Sequence, residues 1–380
     1  MEYGKHHAAS LAALLFSLAL AACTGGGSAT TELYISQPAT QSVIRINAAD
    51  GKVLKETLVG MLPHNLQLSR DGRRLYVVLV GSQAVAEVDT AAGVVLRTFL
   101  TEPVPRVRAD HSVIQGHIDR DAFSHTTCYD CHRGGAGGVA PAVVGSRPFG
   151  IAFSKDGKTL YVCNGRSGNL AVIDAATGAL KSLVPLPPSG AAREPTDIAL
   201  LDDKLFITLR PPLPSASPGV VRWLDAVSLA VLSETPTGAN AGVILADVNR
   251  RQIYVSNSET NTISRFDAKG APLGRVTVGD GPFGLRVLPD RNRMIVANYY
   301  ANSISLIDLR DSQTQTIPLA VDGKPYVNPT HVALDAGRRT AYVVSSGTVG
   351  HLLTFDLESR RFTSATKIGG LPFAVVTVPK

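Results

Sequence analysis

Cysteine is scarce in this chain. There are four in 380 residues, and such a count does not supply a disulfide framework for a fold of this size. Tryptophan occurs once, methionine three times, and aromatic residues make up only 6%, so the core must be built from aliphatic side chains. Lys and Arg exceed Asp and Glu by enough to give a net charge of +6, yet they form no run and do not alternate with aromatics, which argues against a nucleic-acid groove. Beyond the first two dozen residues no apolar stretch is long enough to cross a bilayer as a helix. Also missing are a Ser/His/Asp order, a phosphate-binding glycine loop and a calcium loop, so triad hydrolysis, nucleotide binding and EF-hand signalling have no support.

What is present is repetition. A chain of this length can form two or three domains or one large repeat fold, and a period in the forties signals a propeller. One unit starts with an apolar run that ends in a polar turn, as in Leu68-Ser69-Arg70-Asp71-Gly72 and Phe153-Ser154-Lys155-Asp156-Gly157. Next comes a β-branched and aromatic strand such as Leu75-Tyr76-Val77-Val78 or Leu160-Tyr161-Val162-Cys163-Asn164. An alternating strand ending in Asp follows, closing at Asp89, Asp174, Asp267, Asp308 or Asp356. These aspartates read as turn formers. A short turn, often with glycine as at Gly93, Gly178 and Gly270, feeds a last strand. Four short antiparallel strands per unit make a propeller blade.

Tyr161-Val162-Cys163-Asn164 and Tyr254-Val255-Ser256-Asn257 resemble the Tyr-Val-x-Asn signature of the YVTN-repeat β-propellers, and the resemblance covers nearly all of the chain after the N-terminal segment. It implies the fold and says little about function, because such propellers serve varied binding and redox roles. Strands of the Tyr-Val type begin near Leu33, Leu75, Leu160, Leu205, Ile253, Met294 and Ala341, which predicts an all-β, seven-bladed propeller over 32–380. The first unit lacks its innermost strand and Pro372 to Pro379 matches that strand elsewhere. The N- and C-terminal strands are therefore expected to pair in one blade and close the ring, leaving no free edge. Tight turns fall on one rim. The long connections, Leu183 to Pro195, the Pro-rich Arg210 to Gly219, Ala320 to Pro329 and Pro103 to Gly145, all fall on the other, which makes that rim the functional candidate.

The N-terminus carries an address. Lys5 precedes the apolar run Leu11 to Ala22, which is too short to span a bilayer, and Leu20-Ala21-Ala22-Cys23 follows. This reads as a secretory signal over 1–22 and resembles the lipobox of bacterial lipoproteins, whose cysteine is lipidated after cleavage. The expectation is an exported lipoprotein on the periplasmic side of a membrane, anchored through Cys23. Thr24 stands where an inner-membrane retention Asp would, which favours the outer membrane. Residues 23–31 form a flexible tether. Once Cys23 is set aside, Cys128, Cys131 and Cys163 remain, and Cys163 in its apolar strand reads as a buried small hydrophobe.

The least typical stretch is the connection 103–145. It holds His111, His117, His125 and His132, four of the nine histidines, where an even spread gives about one. Cys128-Tyr129-Asp130-Cys131-His132 reads Cys-x-x-Cys-His, the attachment signature of c-type haem. Two cysteines three apart present their thiols to the two vinyl groups on one porphyrin edge, and the adjacent His132 becomes the proximal iron ligand. Haem c is thus the expected cofactor, with 103–145 as its binding insert. Export and the motif agree without sharing residues.

The ligand opposite His132 is open. His117 and His111 have enough chain to swing across the iron and come first; His125 sits only three residues from Cys128. Met61, His64 and His331 are expected at the channel mouth, where they serve either as a further ligand source or as ordinary packing and hydrogen-bonding groups. Two iron ligands suggest electron transfer with a periplasmic redox protein or enzyme, whereas an open iron suggests a haem-dependent oxidoreductase. The other reading is a binding scaffold whose insert holds zinc, copper or only a Cys128–Cys131 disulfide.

Overall fold

The computed structural model describes residues 31–103, 147–186, 193–212, 215–335, 337 and 339–378. Short runs of alternating and β-branched residues, each bounded by Asp, Gly or Asn, set the strand lengths, and most strands are five to nine residues long. They form seven four-stranded antiparallel sheets. Blade 1 combines Glu32–Gln37, Ser42–Asn47 and Val53–Leu58 with Val375–Thr377 as its innermost strand. Blade 2 runs Pro63–Leu68, Arg74–Leu79, Ala84–Asp89 and Val94–Leu100 from inside outward, and blade 3 runs Pro148–Phe153, Thr159–Asn164, Asn169–Asp174 and Leu180–Pro185. The innermost strands of blades 4 to 7 are Glu194–Leu201, Ala241–Asp247, Pro282–Val287 and Pro329–Leu334. Each inner strand neighbours those of the blades before and after it, and Val375–Thr377 lies between blades 7 and 2, so the seven stand in a ring. This is a seven-bladed β-propeller. The terminal strands share a sheet as expected, and the register sets Leu33 opposite Thr377 and Ile35 opposite Val375.

Burial grades outward. The second strands are almost wholly buried, as in Leu75 to Leu79 at 0–4% exposure, because neighbouring blades cover both faces. The outer strands are mostly open. Each buried Val, Leu or Ile contributes about 1.5–3 kcal/mol, so the inter-blade layers, such as Leu75, Val77, Ala86 and Val88 packed with Tyr34, carry the stability.

The Tyr-Val-x-Asn strand has a physical reason at each end. Its tyrosine reaches into the next blade: Tyr34, Tyr76 and Tyr161 donate to the carbonyls of Thr90, Ala175 and Ala226 at 2.9, 3.5 and 3.0 Å. Its asparagine ties down the link arriving from the blade before. Asn164 donates to the Thr101 carbonyl at 3.2 Å, and Asn257 accepts from the Gly238 N–H at 3.0 Å.

The two rims differ as expected. On one, Asp89 accepts the N–H groups of Ala91 and Ala92, and Asp174 those of Ala176 and Thr177, all at 2.9–3.0 Å; Gly93 and Gly178 close these turns at φ +64° and +75°, where only glycine is unstrained. The other rim carries the long links. One of them holds a small hairpin, Ala320–Val321 with Lys324–Pro325, that the sequence reading treats as plain loop. In another, the connection expected to begin at Arg210, that residue belongs to the preceding strand. It ends a strand with its side chain 3% exposed, 2.8 Å from Asn240 Oδ1 and 3.5 Å from Glu194.

Candidate functional site at the loop-rich rim

Cys23, His111, His117, His125, Cys128, Cys131 and His132 lie outside the described residues; the positions on either side of 104–146 do not. The segment leaves from the outer strand of blade 2 and returns into the inner strand of blade 3. Both roots meet the same turn, residues 164–169. Glu102 accepts from Asn169 Nδ2 at 2.5 Å and from Ser167 Oγ at 3.0 Å, while the Thr101 carbonyl is held by Asn164. On the return side the Arg147 carbonyl accepts the Gly165 N–H at 2.9 Å, and its guanidinium stands 5.0 Å over the Phe149 ring. A connection of more than forty residues is therefore gripped at both ends by one tight turn of blade 3.

Next to these roots is the mouth of the central channel. The inner strands begin with an aligned motif: Pro63-His64-Asn65, Pro148-Phe149-Gly150, Pro195-Thr196-Asp197, Pro282-Phe283-Gly284, Pro329-Thr330-His331 and Pro372-Phe373-Ala374. Ring geometry brings His64, Phe149, Phe283, His331 and Phe373 together. His64 lies against Phe373 at 3.6 Å between ring centroids, and His331 is 4.9 Å from Phe373 and 5.2 Å from Phe283. Such contacts are worth about 0.5–1.5 kcal/mol each beyond burial. They form an aromatic plug.

This decides the role of the rim candidates. His64 is 4% exposed, with Nδ1 3.2 Å from Asn65 Oδ1; His331 is 7% exposed and donates from Nδ1 to the Phe373 carbonyl at 2.9 Å. Burial pulls the His64 pKa well below its ordinary value, helped by His331. Burial and then the charge of Arg286 bring His331 down to about 3. Burial thus favours the neutral form of both rings, and both pack in the plug. Met61 is partly buried, its backbone paired with Ser82 and Gly81.

Blades 4, 5 and 7 have Thr196, Gly242 and Thr330 where the others have rings, and of these three only blade 7 supplies a ring at the next position, His331. The gap is a small cavity of about 30 Å³ lined among others by Asp197, Arg210, Asn240, Ser258, Asn65 and His64. By volume it holds about two waters. A porphyrin does not fit there. Asp197 accepts the N–H of Ile198 at 3.0 Å and of Ile244 at 3.1 Å. Burial raises its pKa to about 7 against the pull of those two bonds and of Arg286. Gly150 makes room for it: a Cβ at Gly150 would lie 2.5 Å from Asp197 Cα.

Sequence reasoning missed Asp197, Arg210 and Arg286. A signal existed, since aligning the inner strands on their proline puts Asn65, Asp197 and His331 in a column that elsewhere holds Gly or Ala. Cys163 is fully buried and its thiol is pushed well up by burial, as expected of a packing residue. Among the described residues no group of three or more His, Cys, Asp or Glu is placed to hold a metal ion.

No protein-family model matches the chain, and no curated protein sequence does. Solved structures share the fold. Hydrazine synthase of Kuenenia stuttgartiensis is 16% identical with a TM-score of 0.61, covering 89% of this chain and 92% of its own. The dihydro-heme d1 dehydrogenase NirN, solved in complex with DHE, is 14% identical with a TM-score of 0.57, covering 90% and 74%. A functionally unknown protein of Desulfotomaculum acetoxidans is 11% identical with a TM-score of 0.64, covering 92% and 99%.

Proposed function

We propose that this chain is an exported, lipid-anchored propeller that binds one covalent haem c through its loop-rich rim and transfers electrons. The observation that carries the reading is Cys128-Tyr129-Asp130-Cys131-His132 within a connection rooted on that rim. The donor set fits the group: two thiols three residues apart for the vinyl carbons and an adjacent imidazole for the iron. The channel cavity is far too small for a porphyrin, so the insert and the rim must provide the surroundings. A same-fold neighbour, NirN, is a dihydro-heme d1 dehydrogenase, which supports a propeller of this architecture as a haem-handling scaffold.

Bound haem supplies one-electron chemistry at its iron. Cys128 and Cys131 would hold the ring, and His132, with His117 or His111, would ligate the iron. His64 and His331 are engaged in the plug. In this reading 1–22 is cleaved, Cys23 carries the lipid, and the partner is a periplasmic redox protein or enzyme on the same side of the membrane, with the outer membrane favoured.

Expression in a host that matures c-type cytochromes tests this directly. The expected result is a Soret band that survives denaturation. A colourless protein with Cys128 and Cys131 free, disulfide-bonded or holding zinc or copper overturns it in favour of a binding scaffold. Carbon monoxide then separates the roles. A ligated iron that resists it fits electron transfer, and one that binds it at once fits a haem-dependent oxidoreductase.

A further inference from the structure

Where blades 4 and 5 leave the channel mouth without a ring, the polar groups around the opening are mostly donors. Asn240 is 3% exposed and its Oδ1 accepts from Arg210 at 2.8 Å. That leaves its Nδ2, for which the described residues hold no acceptor. Asn65 repeats the arrangement from blade 2: its Oδ1 lies 3.2 Å from His64 Nδ1, and its Nδ2 also has no acceptor among the described residues. Neither amide nitrogen is sealed off by protein, so both open onto the cavity that the two residues line. A buried amide donor left unmet is costly, and two of them at one cavity call for an acceptor inside it.

The charge has the matching sign. Arg210 is a wall of the cavity at 3% exposure, and after burial and His331 it is Arg147 and Arg210 that push the His64 pKa down. The carboxyl in the lining does not cancel this field in mild acid. Asp197 has Oδ1 and Oδ2 each taken by a backbone N–H, of Ile198 and Ile244, and burial raises it to about 7 even though Arg286 faces it from blade 6. Below that pH it carries a proton and repels no anion. Phe149, Phe283 and Val243 complete the wall and keep bulk water away, which strengthens hydrogen bonds to a charged acceptor.

We propose that the opening between blades 4 and 5 is a binding site for a small monoanion, received by Asn240 Nδ2 and Asn65 Nδ2 in the field of Arg210. A cavity of about 30 Å³ has room for about two waters, which admits a halide or formate and excludes sulfate. The site rests on the described residues alone and does not depend on haem.

Titration calorimetry of the protein with sodium bromide and with sodium formate, at about pH 6 where Asp197 is protonated, reads this site. Saturable binding of both is expected, and none of sulfate at the same ionic strength. Asn240→Asp keeps the oxygen that Arg210 uses and suits the left-handed backbone at φ +52°, but it replaces the amide donor by a carboxylate oxygen. It should weaken both anions about tenfold or more. Gly242→Ala adds a methyl at ordinary contact, 3.4 Å from Ser256 Oγ, and should weaken formate, the larger ion, about threefold or more with thermal unfolding unchanged; it carries the test should Asn240→Asp fail to fold. Anomalous scattering from crystals grown in bromide should place the ion between Asn65 and Asn240. A cavity holding only waters, sulfate bound as well as formate, affinity unchanged in both variants, or a Soret band that shifts with each addition, which would put the anion on iron, overturns the proposal. A colourless protein sinks the haem reading and leaves the titration standing.

Discussion

The two rims of this propeller are built from the same strands and solve different problems. On the bare rim the third-to-outer turns repeat one device: a strand-ending Asp, replaced by Asn47 in blade 1, whose oxygen accepts the next N–H groups, often followed by a left-handed glycine. On the loop-rich rim the blades vary, with a ring in some and a carboxyl, an amide or a glycine in others at matching positions, and one link is lengthened into the segment whose sequence carries Cys128, Cys131 and His132. Uniform local chemistry holds the ring, and freedom to vary is confined to the face where links are long. Function should thus be removable from one rim with little effect on the other.

The largest contrast concerns the insert. Cys128→Ala with Cys131→Ala should remove covalent haem completely, read as the loss of any Soret absorption in the denatured protein, while the thermal transition of the propeller moves little. Substitution of Asp174 on the bare rim should leave the absorption untouched.

Glycines sharpen the comparison. Gly150→Ala drives a Cβ to 2.5 Å from the Asp197 backbone, which no rotamer change relieves; a loss of about 1–3 kcal/mol or more is expected in denaturant unfolding. Gly157→Ala meets open space and only the strain of φ +74°, about 1–2 kcal/mol. A larger effect at Gly157 would contradict the packing described for the channel.

The pH dependence of unfolding should come chiefly from the mouth. Asp197 is raised to about 7, above its unfolded value, so folding disfavours its ionised form. Its contribution to stability is therefore full below the unfolded pKa and falls as pH rises through about 7, by at most about 4 kcal/mol. His64 and His331 are depressed, so folding disfavours their protonation and stability declines as pH drops below the unfolded histidine range. Thermal unfolding across this window should show a maximum on the acid side of neutrality, and Asp197→Asn should flatten the alkaline limb. The aspartates of the bare rim behave oppositely. Asp308, held down to about 2 first by the Arg310 side chain and then by its N–H, matters only in strong acid.

The last effect is local. Asn164→Ala removes the bonds to Thr101 and Asn169 from a fully buried site, for about 1–3 kcal/mol. It should also quicken proteolysis between Pro103 and Arg147 without altering cleavage elsewhere. Unchanged cleavage would mean that Glu102 and Arg147 grip the insert unaided.

Much of this was legible in the residues themselves. Strand lengths, the Asp and Gly turns, the number of units, the sharing of one blade by the terminal strands and the position of the insert follow from alternation and turn chemistry, which act over a few residues and repeat seven times. The Cys-x-x-Cys-His motif is legible for the same reason, since its chemistry is set by spacing along the chain. The contents of the channel are another matter. His64 against Phe373, His331 on the Phe373 carbonyl, and Asp197 beneath Gly150 and within the field of Arg286 join residues tens to hundreds apart, and which of them meet depends on how seven strands converge on one axis. Burial at that axis, absent from any local window, makes His64 and His331 packing groups and turns Asp197 into a carboxyl that titrates near neutrality.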